Sequence, residues 1–198
     1  AQYPENLTVA MELGLLYRST NPSASEAIFR ELGEKSLDDA NVIGTVIQYL
    51  VLQKRIDDAI IVLEGMSPGA PDSSEIAYAA GIVYHEKGNT EVALQHFGAV
   101  SPESRFYQNA LVHVAVILYT AKEFDRGIEV LESAMVDLAD TDKVGVIPYL
   151  SSFYKEKGRI DEAIALIREG IEIAPDNTDL LLELGIIYDR QGKTAEAI

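Results

Sequence analysis

The chain has 198 residues, 47% of them hydrophobic, with no cysteine and a formal net charge of −16. That length allows one or two compact domains or one repeat array, with enough apolar content for a continuous core. The acid surplus excludes a nucleic-acid site built on Lys and Arg and attraction to anionic membrane surfaces, and the missing cysteines exclude disulfides and thiolate metal sites.

The first six residues, Ala1 to Asn6, are polar and turn-like and carry no signal-peptide pattern. No apolar run approaches the roughly 20 residues of a membrane span, so direct membrane insertion is not expected. The compartment stays open, cytoplasmic or periplasmic. Beyond that point the chain repeats itself. In order come ELGLLYRSTNPSASEAI (Glu12 to Ile28), VIQYLVLQKRIDDAIIVL (Val46 to Leu63), GIVYHEKGNTEVALQHF (Gly81 to Phe97) and VAVILYTAKEFDRGIEVL (Val114 to Leu131). SSFYKEKGRIDEAIALIREGIEIAP (Ser151 to Pro175) and GIIYDRQGKTAEAI (Gly185 to Ile198) follow. Tyr154 and Tyr188, Gly158 and Gly192, and Ala163 and Ala197 are each 34 residues apart. A fixed period of this size marks stacked supersecondary repeats.

This frame divides the chain into repeats 7–39, 40–73, 74–107, 108–143, 144–177 and 178–198, the last incomplete. One slot holds the small residues Ala27, Ala59, Ala93, Gly127, Ala163 and Ala197, which places one extra residue in the first repeat's turn. A second slot holds Gly14, Ile47, Gly81, Ala115, Ser151 and Gly185. Three residues on, a large side chain recurs: Tyr17, Leu50, Tyr84, Leu118, Tyr154 and Tyr188. Small residues let helices approach and large ones fill the space beside them. Each repeat reads as two amphipathic helices, as in Ile76, Ala80, Val83 and Tyr84, then Ile160, Ala163, Ile164, Ile167 and Ile171. Gly88 and Gly158 supply the turn between them, and Pro71 and Pro175 close repeats. Three departures stand out. Glu31 sits where an apolar residue is expected, Pro102 predicts a short second helix in the third repeat, and Pro148 predicts a first helix that starts late or kinks.

The pattern of Leu184-Gly185, Tyr188, Gly192 and Ala197, matched by Tyr154, Gly158, Ala163 and Pro175, resembles the tetratricopeptide repeat, and the likeness runs over essentially the whole chain. It implies an all-α fold, a right-handed α-solenoid of stacked antiparallel helix pairs, with five full units and a partial sixth. Tyr3-Pro4-Glu5-Asn6 looks like the tail of a preceding unit, and the frame stops at Ile198 early in a second helix. The expectation is a segment of a longer array.

Motifs that imitate chemistry have plainer readings. Gly192-Lys193-Thr194 resembles the end of a phosphate loop, but Ile187 stands where the loop's first glycine belongs, and the preceding residues have a helical period. His85, His96 and His113 form no metal-ligand spacing. Asp140-Thr141-Asp142-Lys143 lacks the glycine and distal glutamate of a calcium loop. The pairs Asp38-Asp39, Asp57-Asp58 and Asp161-Glu162 fit the acid preference of helix starts. The expectation is a non-enzyme, without cofactor or metal.

The resemblance implies a concave surface built from first helices that holds protein or peptide partners. Carried over by position, its lining is Met11, Leu15, Gly44, Gln48, Tyr78, Ile82, His85, Val112, His113, Val116 and Tyr119, then Tyr149, Ser152, Lys155, Leu182, Ile186 and Asp189. Clamps for chaperone tails use Lys, Arg and Asn at positions that here hold Met11, Leu15, Thr45, Glu75 and Ala79, so such a clamp is not expected. A largely uncharged face suits a helix or an extended apolar segment. The function expected is an interaction scaffold. The alternatives are a recruiting arm of a larger enzyme or of an envelope secretion or assembly machine, and a spacer or homo-oligomer formed through end helices.

Overall fold

The computed structural model describes residues 7–36 and 40–192. Tyr3 to Asn6, Asp38, Asp39, Lys193, Thr194, Ala197 and Ile198, which carry expectations above, lie outside the described residues. Among the described residues all regular structure is helical, in eleven helices. The chain divides into two compact units, Ala1–Phe106 and Tyr107–Ile198.

The N-terminal unit holds α1 (Leu7–Tyr17), α2 (Pro22–Lys35), α3 (Ala40–Leu52), α4 (Ile56–Met66), α5 (Ser74–Glu86) and α6 (Thr90–Gly98). The C-terminal unit holds α7 (Tyr107–Thr120), α8 (Phe124–Asp137), α9 (Asp140–Glu156), α10 (Ile160–Ile173) and α11 (Thr178–Arg190). Within each unit, odd-numbered helices end in a tight turn and even-numbered ones return alongside them.

One hydrogen-bond device makes four of these turns. The N–H groups of Arg55, Asn89, Glu123 and Arg159 donate to the carbonyls of Leu50, Tyr84, Leu118 and Tyr154, each five residues back, at 2.8–2.9 Å. This closure needs a left-handed residue just before the donor. Gly88 and Gly158 supply it at φ 81° and 73°, while Lys54 and Lys122 adopt φ 57° and 60° in the other two. A side chain in that region costs about 1 kcal/mol or more.

The first turn is built differently, and the expected frame there is wrong. Asn21 N–H donates to the Tyr17 carbonyl, only four residues back, at 2.7 Å. The Asn21 side chain caps α2 by accepting from Ala24 N–H at 3.2 Å, and Pro22 takes the first helical position. The turn is one residue shorter than its counterparts, not one longer. Ser25, fully buried, therefore fills the small slot, and Ala27 is exposed. Burial of a serine costs free energy unless its hydroxyl is bonded; Ser25 Oγ donates to the Gly14 carbonyl at 2.7 Å.

Counting from each cap, buried residues then recur in register: Ser25, Phe29 and Leu32; Ala59, Leu63 and Met66; Ala93, Phe97 and Val100; Gly127, Leu131 and Ala134. In this register Glu31 is not in an apolar slot at all; it pairs with Lys35 on the surface of α2.

The slots interlock across helices. A Cβ on Gly81 would come within 2.5 Å of the buried Phe97 ring, and one on Gly127 would meet Phe153 at the same distance. Both rings are at most 2% exposed, and burial of each stabilises its unit by roughly 1.5–3 kcal/mol. The tightest approach is α2 on α4. A Cβ on Gly33 would stand 2.1 Å from the Val62 carbonyl oxygen, and one on Gly65 would stand 2.2 Å from that of Arg30.

Two prolines act on helix lengths. α6, followed by Pro102, has nine residues. α9 contains Pro148 but does not start late: it begins at Asp140 and runs on through the proline to Glu156. Gln108 Nε2 secures its first turn by donating to the Asp142 carbonyl at 2.9 Å, and Ser152 donates its hydroxyl to the Pro148 carbonyl at 2.8 Å.

Candidate functional site

In the N-terminal unit, α3 and α5 lie side by side and leave a pocket of about 390 Å³ between them. Gly44 makes the opening, since a Cβ there would meet nothing within 4 Å. Ile47 is buried, and Gln48, Val51 and Leu52 carry the α3 wall toward solvent, Leu52 being 71% exposed. The α5 wall is Glu75, Tyr78, Ala79 and Ile82. Phe106, in the segment after α6, closes one side by stacking on Tyr78, ring centroids 5.2 Å apart and 17° from parallel. Tyr78 also leans on Phe97 at 5.9 Å, and burial pushes its hydroxyl pKa up. Arg105 sits over Phe106 at 4.7 Å and reaches Glu75, the pocket's charged residue, at a stretched 3.7 Å.

In the C-terminal unit, α7 and α9 flank a pocket of about 180 Å³. Ala115, Val116, Tyr119 and Thr120 come from one side, and Tyr149, Ser152 and Phe153 from the other. Tyr119 donates its hydroxyl to Glu156 Oε1 at 2.7 Å, a bond that raises the tyrosine pKa. Next along α9, Lys155 Nζ lies 2.6 Å from Glu183 Oε1 on α11, and the buried Ser151 donates to the same oxygen at 2.7 Å. On α11, Leu182 and Ile186 are exposed.

Of the residues singled out from sequence as groove lining, Gly44, Gln48, Tyr78 and Ile82 meet at the first pocket, and Val116, Tyr119, Tyr149 and Ser152 at the second. Met11 is instead 8% exposed within the core of its unit, where Leu15 packs against it. His85 is exposed near the end of α5, and Val112 and His113 are half-buried on α7, in neither pocket. Ile47, Val51, Leu52 and Phe106 line the first pocket without having been foreseen. The helical period from Gly44 and Gln48 reaches Ile47, Val51 and Leu52. Phe106 stands outside the helix frame and gave no signal.

The motifs that imitate chemistry resolve into structure. α11 is helical up to Arg190, so no strand precedes Gly192, as a phosphate loop requires. Asp140 and Asp142 form the first turn of α9, with Asp140 paired to Lys143 at 2.9 Å. His96 is not a simple surface residue: it is half-buried and stacks on Tyr84 at 5.2 Å, and burial lowers its pKa. Asp58 stands in the first turn of α4, where helix starts favour acids, and is also buried. It is 2% exposed, held by Arg55 Nε at 3.0 Å and Arg18 Nε at 3.3 Å, so it ties the first turn to the second. Tyr154 is covered by Arg159, 4.3 Å from its ring, and donates to Glu132 at 2.7 Å. Desolvation first, then that bond, push its pKa up to about 12. Among the described residues no group of three His, Asp or Glu is placed to hold a metal ion, and no helix is long and apolar enough to cross a membrane.

The tetratricopeptide repeat family matches residues 154–198. No curated protein matches the sequence. Solved structures share the fold. That of MamA is 19% identical, with 76% of this chain and 87% of that one covered, and a TM-score of 0.60. That of PilF of Pseudomonas aeruginosa is 14% identical, covering 82% and 73%, with a TM-score of 0.63. That of YrrB, described as a TPR protein with an unusual peptide-binding site, is 18% identical, covering 86% and 87%, with a TM-score of 0.57. At these identities the likeness is one of fold.

Proposed function

We propose that this chain, an all-α array of helical repeats whose residues 154–198 carry the tetratricopeptide signature, is a protein-interaction scaffold that binds a peptide, helix or partner protein on its first-helix faces. The repeat frame 7–39 to 178–198 serves as the organising unit of that scaffold. The observation that carries the reading is the open apolar pocket between α3 and α5, repeated in smaller form between α7 and α9. Apart from Val136 on α8, the large apolar side chains exposed among the described residues lie on odd-numbered helices, and these first-helix positions keep apolar and aromatic surface within reach of solvent. Surface of that kind, flanked by polar residues, is what recruits partner chains. The buried carboxylate outside the pockets, Asp58, is tied into ion pairs with Arg55 and Arg18, which suits packing rather than turnover. YrrB, of the same fold, is described as having a peptide-binding site, and the proposal extends peptide or protein binding to this chain.

The test needs variants that block the pockets without opening the core. Tyr78→Ala is unsuitable, because Tyr78 packs on Phe97 and Phe106. Gly44→Trp grows from a Cβ that meets nothing within 4 Å, and Val116→Glu starts from a side chain 45% exposed. The double variant should keep the wild-type circular dichroism and melting curve and lose capture of the natural partner by the full-length protein. Undiminished capture by that folded variant would overturn the reading.

A further inference from the structure

We infer that the α3–α5 pocket selects a basic, apolar partner segment: one large aliphatic or aromatic side chain inserted over Gly44, with a lysine or arginine beside it that engages Glu75. This rests on the scaffold reading and names the chemistry of its partner.

The apolar half follows from the shape. The missing side chain at Gly44 leaves a pocket of about 390 Å³ floored by Ile47 and walled by Ile82 and the Tyr78–Phe106 stack. Polar groups are sparse in that lining, so a polar side chain placed there loses water without finding partners.

The basic half follows from charge. Glu75 is the charged residue of the lining, and its partner Arg105 is held weakly, at 3.7 Å and with its side chain 70% exposed. An incoming ammonium or guanidinium can share or replace that contact, whereas a carboxylate meets repulsion. The surrounding field has the same sign: the chain carries −16, and the surplus is shared equally by the two units. Fields of this kind steer cationic partners inward and repel anionic ones. A second copy of this chain would bring another −16 and is disfavoured as the occupant.

Three synthetic peptides serve as probes for fluorescence anisotropy with the intact chain. The first is an amphipathic lysine–leucine helix, the second replaces each lysine by glutamate, and the third replaces each leucine by alanine. The lysine–leucine peptide should bind, and each counterpart should bind at least about tenfold more weakly, a factor worth 1.4 kcal/mol. Gly44→Trp should reduce binding of the first peptide about tenfold or more. Glu75→Gln should reduce it about two- to fivefold at low salt, in the range of an exposed ion pair, with the difference shrinking at high salt. Equal binding of the glutamate peptide, or undiminished binding to folded Gly44→Trp, would overturn the inference; the second result would mark the attraction as diffuse charge alone. If no probe binds while Gly44→Trp with Val116→Glu still abolishes capture of the natural partner, the partner chemistry is wrong and the scaffold reading stands.

Discussion

The two units solve the same packing problem with different tolerances. In the N-terminal unit, α2 crosses α4 so closely that the missing Cβ of Gly65 faces the backbone carbonyl of Arg30 at 2.2 Å. In the C-terminal unit, the missing Cβ of Gly170 on α10 faces Leu180 Cδ1 at 2.7 Å and Ile147 Cδ1 at 2.9 Å, the far ends of flexible side chains. Backbone cannot yield without moving a helix, whereas a methyl group can rotate away. The same contrast holds at the surface. The first pocket is apolar around an absent side chain at Gly44, and the second, about half the volume, is filled out by Tyr119, Tyr149 and Ser152. A shared repeat frame thus dictates which positions are buried but not how rigid the contacts are, nor what the exposed positions offer a partner.

The largest test of that contrast is a matched pair of alanine substitutions. Gly65→Ala should destabilise by about 3 kcal/mol, the upper range for overpacking, while Gly170→Ala should cost about 1 kcal/mol or less. Urea denaturation of each variant measures both, and equal losses would remove the distinction between a backbone-limited and a side-chain-limited contact.

A smaller effect is expected at Tyr154. Loss of its hydroxyl in Tyr154→Phe removes the bond to Glu132, worth about 1 kcal/mol. The pH dependence has a definite sign. The folded pKa of about 12 lies above the free value of 10.0, so the proton favours the folded state. The contribution is full below pH 10 and is lost as the pH rises through 12. The wild type should therefore lose stability more steeply than Tyr154→Phe between pH 10 and 12, and parallel curves over that window would count against the buried hydroxyl.

The smallest effect is a gain. Lys122 occupies a left-handed position that glycine takes in the matching turn at Gly158. Lys122→Gly should stabilise by about 0.5–1 kcal/mol, the relief of a strained backbone less the entropy that glycine adds to the unfolded chain. Lys54→Gly should gain less, because Lys54 also pairs with Glu86 at 3.3 Å. Thermal melts of the two variants compare them directly.

Much of the fold was legible because burial at fixed spacing leaves a mark in composition. Ala59, Ala93, Gly127 and Ala163 stand at equal distances from their caps, and any of them enlarged would collide with a neighbour. The first repeat was misread because two small residues, Ser25 and Ala27, compete for one slot. Serine looks polar until the Gly14 carbonyl is there to accept its proton. Asp58 was missed for a related reason: adjacent acids at a helix start look alike in sequence, and only the converging arginines distinguish the buried one from Asp57. Part of the candidate site was readable from the frame, namely Gly44, Gln48, Tyr78 and Ile82. The frame also nominated Met11, which lies in the core.

The sequence by itself determined the helical class, the repeat spacing and the acidic field, because these depend on local periodicity and on sums over residues. Tertiary structure decided the register of the first turn, the burial of Asp58 and the wall that Phe106 gives the α3–α5 pocket. Each of those involves groups separated in sequence that meet in space, Ser25 with Gly14, Asp58 with Arg18 and Phe106 with Tyr78, and no local pattern records such a meeting.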